Sequence, residues 1–341
     1  QSLVCWNSLI SAAAKQGRRD EALRWFVRML CHSICPNALT FLAILKSCGS
    51  GSGSGCGSSR AAIDKAKQIH AQILCSGFLE SNLLLGTALL HMYVRCGLLS
   101  EALHVHDELC VRDVISWSAL ISGHVQECQC REALDCFGRM QAEALSPNAI
   151  TFTCTLKACG IKGATAKGKQ IHCVIICDGM LKHDLLLGTA LVDMYVKCGV
   201  IVDAHKVHDQ LYARDTVSWS ALIVGYVQHG QGSTALECFG QMVTENLLPD
   251  AVIFVCILKA CGSIAAVKWG KHIHVAILSQ HLDRETTVRI ALQDMYSECG
   301  RHMQSQQLHE ELGVRDVASC NARIAGFVQQ GRGHEALNLF E

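Results

Sequence analysis

The sequence predicts an all-α fold, a solenoid of tandem helix–turn–helix hairpins, on three observations. The first is a period. Asp113-Val-Ile-Ser-Trp-Ser-Ala-Leu-Ile-Ser-Gly-His124 recurs as Asp215-Thr-Val-Ser-Trp-Ser-Ala-Leu-Ile-Val-Gly-Tyr226, which sets Trp117 and Trp219 102 residues apart, and a fixed period is the mark of a repeat architecture. The second is the spacing of apolar residues inside the period. Trp117, Leu120 and Ile121 fall at i, i+3, i+4, a polar break follows at Gln126-Glu-Cys-Gln-Cys130, and Ala133, Leu134, Phe137 and Met140 resume the helical spacing. The third is the scarcity of proline. Only Pro36, Pro147 and Pro249 occur in 341 residues, all at equivalent points of the period, as suits helices that a proline would break.

The remaining words keep the same register. Gln170-Ile-His172 follows Gln68-Ile-His70, Met194-Tyr195 follows Met92-Tyr93, Cys198-Gly199 follows Cys96-Gly97, and Phe254 follows Phe152, each by 102 residues. Phe41 to Phe152 is 111, so the first block carries nine extra residues, which alignment assigns to the Gly/Ser run at 49–59. Such a run reads as a flexible loop, and lengthening a loop costs only about 0.6 kcal/mol per doubling. Met194 to Met295 is 101, so the third block has lost one residue. That block is also worn, with Ile290 in place of Thr, Cys320 in place of Trp and Arg323 in place of Leu. The expected blocks are 3–113 (3–37, 38–82, 83–113), 114–215 (114–148, 149–184, 185–215), 216–316 (216–250, 251–285, 286–316) and a truncated motif at 317–341. Ala22, Ala133, Ala235 and Ala336 recur where a small residue lets two helices approach. Because Gln1 already lies inside a repeat, the chain reads as an internal fragment.

Composition bounds the function loosely. Half the residues are apolar, enough for a continuous buried spine. Thirty basic and thirty acidic residues leave a formal charge of zero, so charge offers no argument for nucleic acid and none against a local patch. Many of the 21 cysteines keep the period: Cys96, Cys198 and Cys299; Cys48, Cys159 and Cys261; Cys154 and Cys256; Cys136 and Cys238. They read as small hydrophobes, reduced thiols of an intracellular compartment. No apolar run is long enough to span a membrane, and no signal peptide is visible.

Val-Ser-Trp-Ser-Ala-Leu-Ile, Glu-Ala-Leu-Asp-Cys-Phe, Leu-Lys-Ala-Cys-Gly, Gly-Lys-Gln-Ile-His, Asp-Met-Tyr-Val-Lys-Cys-Gly and Ala-Arg-Asp, in motifs of 35, 36 and 31 residues, resemble the plant pentatricopeptide-repeat (PPR) family in its PLS subclass of alternating standard, long and short motifs. The resemblance covers essentially the whole chain. It implies a right-handed superhelix that binds single-stranded RNA, one base per repeat, with the RNA 5′ end towards the protein N-terminus. It further implies that the fifth and last residues of a motif face the base edge and the second packs on the base plane. Carried over, the reading pairs are Asn7 with Asn37, Thr87 with Asp113, Ser118 with Asn148, Thr189 with Asp215, and Ser220 with Asp250. Thr153 with Asp184 is a weaker pair. The base-packing residues are Val4, Leu84, Ile115, Leu186 and Val217. Leu42 with Asn82 and Val255 with Glu285 offer no matching pair, and Ile290 with Asp316 departs from the family pattern. The family's preferences make the expected target C/U-N-G-A-(G or N)-G-G-N-N. From the residues alone, the Ser, Thr and Asp positions read equally as helix caps.

Lys46, Lys157 and Lys259 recur in phase and read as a solvated face or as phosphate contacts. His70, His172 and His274, and His106, His208 and His309, also recur in phase; residues in separate repeats spread along a solenoid, so these are core or groove histidines rather than a catalytic cluster. Cys31 with Cys35 and Cys173 with Cys177 lack the two further ligands of a structural zinc site, and no cofactor is implied. The zinc-deaminase signature is absent from the sequence, so the chain is not expected to be an enzyme, and catalysis would come from a missing C-terminal domain or a partner deaminase. The resemblance implies a factor that specifies cytidine-to-uridine editing sites in a mitochondrion or chloroplast. The alternatives are a protein-binding scaffold and an RNA stability or processing factor without editing.

Overall fold

A computed structural model of the chain describes residues 2–49, 60–182 and 184–301, with 303–305, 308, 321, 324–325, 328 and 333–340. The Gly/Ser run at 50–59, His309, Asp316, Cys320 and Arg323 lie outside the described residues. All regular elements among the described residues are helical, as expected of an all-α solenoid. They fall into two compact units, residues 1–162 and 163–341.

In the first unit, α1 (Leu3–Lys15) and α2 (Arg19–Cys31) form a hairpin. α3 (Ala38–Gly49), α4 (Arg60–Cys75) and the short α5 (Phe78–Ser81) follow. α6 (Leu83–Arg95) pairs with α7 (Leu99–Glu108), α8 (Val114–Gln126) pairs with α9 (Cys130–Ala142), and α10 (Ala149–Lys162) ends the unit. The second unit holds α11 (Thr165–Cys177), α12 (Leu185–Lys197) with α13 (Ile201–Gln210), α14 (Thr216–Gln228) with α15 (Gly232–Thr244), α16 (Ala251–Ser263) with α17 (Val267–Ser279), then α18 (Thr286–Glu298) and α19 (Gly333–Phe340). Helices α1, α3, α6, α8 and α10 lie side by side in one row, and α12, α14, α16 and α18 form the row of the second unit. The partner helices make a second layer; α2, α7, α9, α13 and α15 each touch the next row helix as well as their own. A row helix with neighbours on both sides in its own unit, such as α3, α6, α8, α14 or α16, is therefore covered on both flanks and from behind.

Ring contacts run through this layer. Phe137 meets Phe152 at 6.2 Å and Phe239 meets Phe254 at 6.2 Å, both between a partner helix and the next row helix. Ala22, Ala133 and Ala235 are fully buried in the same layer, and Ala336 is buried too. At Gly86 and Gly188 the approach is closer still: a Cβ there would overlap the side chain of Leu109 or Leu211. The Cys-Gly words end α6 and α12, with Gly97 and Gly199 at φ of 71° and 76°, the left-handed cap that glycine adopts without strain.

The recurring Trp anchors a second lock. Trp117 is fully buried, donates from Nε1 to Glu143 at 2.9 Å, and stacks edge-on against His106 at 4.1 Å. Arg112 holds the other Glu143 oxygen at 2.7 Å and donates back to the carbonyls of His106 and Asp107, closing α7. The second unit repeats the set with Trp219, Glu245, His208 and Arg214. Burial pushes Glu143 and Glu245 up, but the Trp and Arg hydrogen bonds and the Arg charge outweigh it and both carboxyls end lowered. His106 and His208 are fully buried and neither ring nitrogen has a hydrogen-bond partner. Burial first, and then the neighbouring Arg, drives both imidazoles down to about 4.

Two predictions follow from this lock. Because His106 and His208 are neutral when folded and ionise near 6.5 when unfolded, the unfolded chain binds more protons between those values. Their contribution is complete above pH 6.5 and is lost as pH falls towards about 4, at roughly 1.4 kcal/mol per pH unit per imidazole. Urea midpoints measured from pH 7 to pH 4 will fall steeply for this chain and less for His106→Phe/His208→Phe. The second concerns the first hairpin. His32 stands where Glu143 and Glu245 stand later, and Trp6 Nε1 is buried without a partner. His32→Glu supplies the missing acceptor and is expected to raise stability by about 1 kcal/mol, read from the same midpoints.

Candidate functional site

A row helix covered on three sides leaves one strip open, and its residues are fixed by helical spacing. On α10, Ile150 is exposed, Thr153 and Cys154 are half-buried and Lys157 is exposed, while Thr151, Phe152, Thr155, Leu156 and Ala158 are buried. Counted from the first residue of the helix, the open positions are the second, fifth and ninth, which share one face. α3 repeats the strip as Leu39, Leu42 and Lys46, and α16 as Val252, Val255 and Lys259. The second position is apolar and open in both units. Val4, Leu39, Leu84, Ile115, Ile150, Leu186, Val217 and Val252 are between 57% and 72% exposed. Sequence reasoning singled out Val4, Leu84, Ile115, Leu186 and Val217 and missed Leu39, Ile150 and Val252, although these stand at the same place in their motifs; in α18 the position holds Thr287.

At the strip's N-terminal end, the residue before the helix caps it in every row helix but α1 and α18, where Ser2 and Glu285 make no side-chain cap. The first N–H groups of a helix have no partner within it. Asn82, Asp184 and Asp250 accept from the backbone N–H three residues on, at 3.2, 3.1 and 2.9 Å. Asn37 and Asn148 do the same towards Thr40 and Thr151, at 3.0 and 2.9 Å, and both threonine hydroxyls donate to the same amide oxygen. Asp113 and Asp215 form full capping boxes with Ser116 and Ser218. Glu285 makes no such bond to α18.

The fifth residue joins this cap in two places. Asn7 Nδ2 donates to Asn37 Oδ1 at 3.1 Å, and Thr40 Oγ1 donates to Asn7 Oδ1 at 2.6 Å. Ser118 meets Thr151 Oγ1 at 2.7 Å and Asn148 Oδ1 at a long 3.5 Å, and donates to the Val114 carbonyl at 2.6 Å. Ile253 replaces that threonine after Asp250, and no such link joins Ser220 to Asp250 among the described residues. Thr87, Thr153 and Thr189 donate to the carbonyl four residues back in their own helices rather than to Asp113, Asp184 or Asp215. Asn37, Asn148, Asp113, Asp184 and Asp215 are half-buried and Asp250 is exposed.

The strips of the short-motif helices differ in charge. At the ninth and thirteenth positions α6 carries His91 and Arg95, α12 carries Asp193 and Lys197 joined at 2.7 Å, and α18 carries Asp294 and Glu298. Burial raises both carboxyls of α18, and Asp294 raises Glu298 further.

The other sequence candidates lie elsewhere. His70, His172 and His274 hydrogen-bond Tyr93, Tyr195 and Tyr296 at 2.9, 2.9 and 3.1 Å, tying α4, α11 and α17 to the next row helices. Cys136, Cys159, Cys238 and Cys261 are buried, and burial lifts the Cys136 thiol to about 11 and those of Cys238 and Cys261 to about 12. Cys31, Cys35, Cys173 and Cys177 are exposed. Among the described residues no three His, Cys, Asp or Glu side chains gather in a way that could hold a metal ion, and no helix is long and apolar enough to cross a membrane.

Stacked hairpins with an open strip capped by Asn and Asp define an α-solenoid built to display one small polar constellation per helix pair. The PPR repeat family matches residues 1–50, 112–160 and 214–263, and a further PPR repeat matches 87–114 and 318–341. The chain belongs to this family. It is 31% identical over 339 residues to a chloroplastic pentatricopeptide repeat-containing protein of Arabidopsis thaliana, covering 99% of this chain and 53% of the relative. To a mitochondrial one from the same plant it is 30% identical over 336 residues, covering 98% and 54%. The chain thus spans about half the length of these relatives. The crystal structure of PPR10 in complex with an 18-nt psaJ RNA element superposes with a TM-score of 0.68 at 17% identity, over 98% of this chain and 54% of that one. PPR10 from maize alone gives 0.57 over 100% and 53%. These likenesses carry the fold.

The caps make a prediction of their own. Asp215→Ala removes the α14 capping box and is expected to cost about 1 kcal/mol. Asp215→Asn keeps an acceptor for the Ser218 N–H and is expected to be nearly neutral, with thermal midpoints separating the two.

Proposed function

We propose that the chain binds single-stranded RNA one base per motif and so specifies a cytidine-to-uridine editing site in a chloroplast or mitochondrial transcript. The observation that carries the reading is the double duty of the last residue of each motif. The helix start demands an acceptor, so Asn148 turns Oδ1 to the cap and leaves its Nδ2 donors over. Asp250 gives Oδ1 to the cap and keeps a second acceptor oxygen. An outward donor suits the acceptor on adenine's pairing edge, and an outward acceptor suits the N–H groups of guanine. The pairs Asn7/Asn37, Thr87/Asp113, Ser118/Asn148, Thr189/Asp215 and Ser220/Asp250 would read bases, with Thr153/Asp184 weaker. Val4, Leu84, Ile115, Leu186 and Val217 would pack on them, and so would Leu39, Ile150 and Val252. The two carboxyls on α18 fit a third short motif that reads nothing.

The crystal structure of PPR10 with RNA supports the partner, and the chloroplastic and mitochondrial relatives support the compartment. The editing role rests on the alternation of 35-, 36- and 31-residue motifs, the PLS pattern, with a deaminase supplied by a further domain or a partner.

Asn148→Asp tests the reading without disturbing the cap, because Asp250 shows that a carboxylate caps equally well. Selection from a randomised RNA pool is expected to enrich a G-A-N-G-G core for the parent. In the variant the A is expected to change to G, with a shift in preference of about 1–3 kcal/mol. An unchanged base at that place would remove the assignment of the pair, and a folded chain that enriches nothing would favour a protein-binding scaffold.

A further inference from the structure

We infer that Lys46, Lys157 and Lys259 hold the phosphates of the bound strand, so that the first and third long motifs grip RNA without choosing its bases and the second adds a grip to its weak reading pair. The inference rests on the RNA reading above and concerns a position that the base-reading pairs do not include. Each lysine is the ninth residue of its row helix, one turn beyond the fifth, on the same open strip and exposed. The ninth position of the other row helices holds Ser11, His91, Ser122, Asp193, Val224 and Asp294. A lysine therefore stands there in the long motifs alone, once in every three. On α3 and α16 the fifth residue is Leu42 or Val255, so the strip offers a bound nucleotide an apolar surface and one ammonium. That combination cannot match a base edge, but it suits a phosphate, which an ammonium meets as a point charge.

None of the three lysines forms an ion pair among the described residues. Lys67, Lys169, Lys197 and Lys206, by contrast, all face carboxylates. Burial and Asp294 raise the Glu298 carboxyl, and Lys259 stands close enough for its charge to work against them, so its grip is the weakest. With thirty charges of each sign in the chain, attraction for a polyanion has to come from such local unpaired cations.

The test is binding of the full chain to two single-stranded RNAs, 5′-CUGAUGGUU and a scramble of the same composition, at several salt concentrations. Each phosphate contact to a single strand contributes about 0.7 to the slope of log K against log salt. Lys46→Gln and Lys157→Gln are each expected to lower the slope by about that much, and Lys259→Gln by less. The preference for the first RNA over its scramble stays the same, and Lys→Arg restores the slope. Lys67→Gln, on the partner layer, makes the same change in net charge and leaves the slope alone. A parent chain that prefers the first RNA but whose slope survives all three substitutions overturns the lysine assignment alone. A change in the preference ratio overturns it too, because it makes the lysines base readers. A folded parent that binds neither RNA overturns the RNA reading and the grip with it.

Discussion

Each row helix begins with backbone N–H groups that no earlier turn satisfies, and from α3 to α16 the chain meets that need with the last side chain of the preceding motif. This one constraint fixes much else. The cap sets where the helix starts, and the start sets which residues become second, fifth and ninth. The covering of the row by its neighbours then leaves the second position open, and the ninth on α3, α10 and α16, while Thr87, Ser118 and Thr189 at the fifth stay buried at the edge of the strip. Asn37 and Asn148 tie the cap to the fifth residue of the motif they end, so fold and candidate site share the same atoms. Before α18 Glu285 makes no cap and the strip there carries Asp294 and Glu298.

The Trp–Glu–Arg–His lock serves the same end from the other side. It fixes the end of α7 to the start of α8, and the end of α13 to the start of α14, across the two residues where Asp113 and Asp215 sit. Arg112 and Arg214 close the preceding helix through its carbonyls, so the capping Asp beside each arginine is held from both directions. His106 and His208 are the weak member. Each fills the space beside the Trp ring but leaves two ring nitrogens unsatisfied in the interior, a cost that a hydrocarbon ring would not carry.

Much of this was legible in the sequence because the repeat writes each feature more than once. Helix starts could be read from Asn or Asp before an apolar spacing, and Trp117 and Trp219 announced a buried anchor. Glu143 with Glu245 and Arg112 with Arg214 also keep the 102-residue period, so the partner of the Trp was present as a signal and passed over, since a charged residue beyond a helix end looks like solvent. The open strip was harder. Helical spacing shows that Leu39, Leu42 and Lys46 share a face, but whether a neighbouring helix covers that face depends on how hairpins stack. For the same reason the lysines read as an ordinary solvated surface. Which atom of Asn148 faces outwards could not be read at all, because it depends on the cap drawing the amide oxygen inwards.

The double duty of the last residue also limits what such a surface can distinguish. Only a short side chain with an acceptor can reach the N–H three residues on, which admits Asn, Asp, Ser and Thr and excludes most others. Of these, Asn leaves donors over and Asp leaves an acceptor. On the proposed reading the outward alphabet is therefore close to binary at this position, and the fifth residue would have to supply the remaining discrimination. Asn7, bonded to both Asn37 and Thr40, has its amide orientation fixed by that network. Ser118 and Thr87 are buried and their hydroxyls already donate to backbone carbonyls, so what either has left is acceptor capacity, and in Ser118 that also faces Thr151. A Leu or Val at the fifth position supplies nothing, and in α3 and α16 the polar role on the strip falls to the lysine one turn further along.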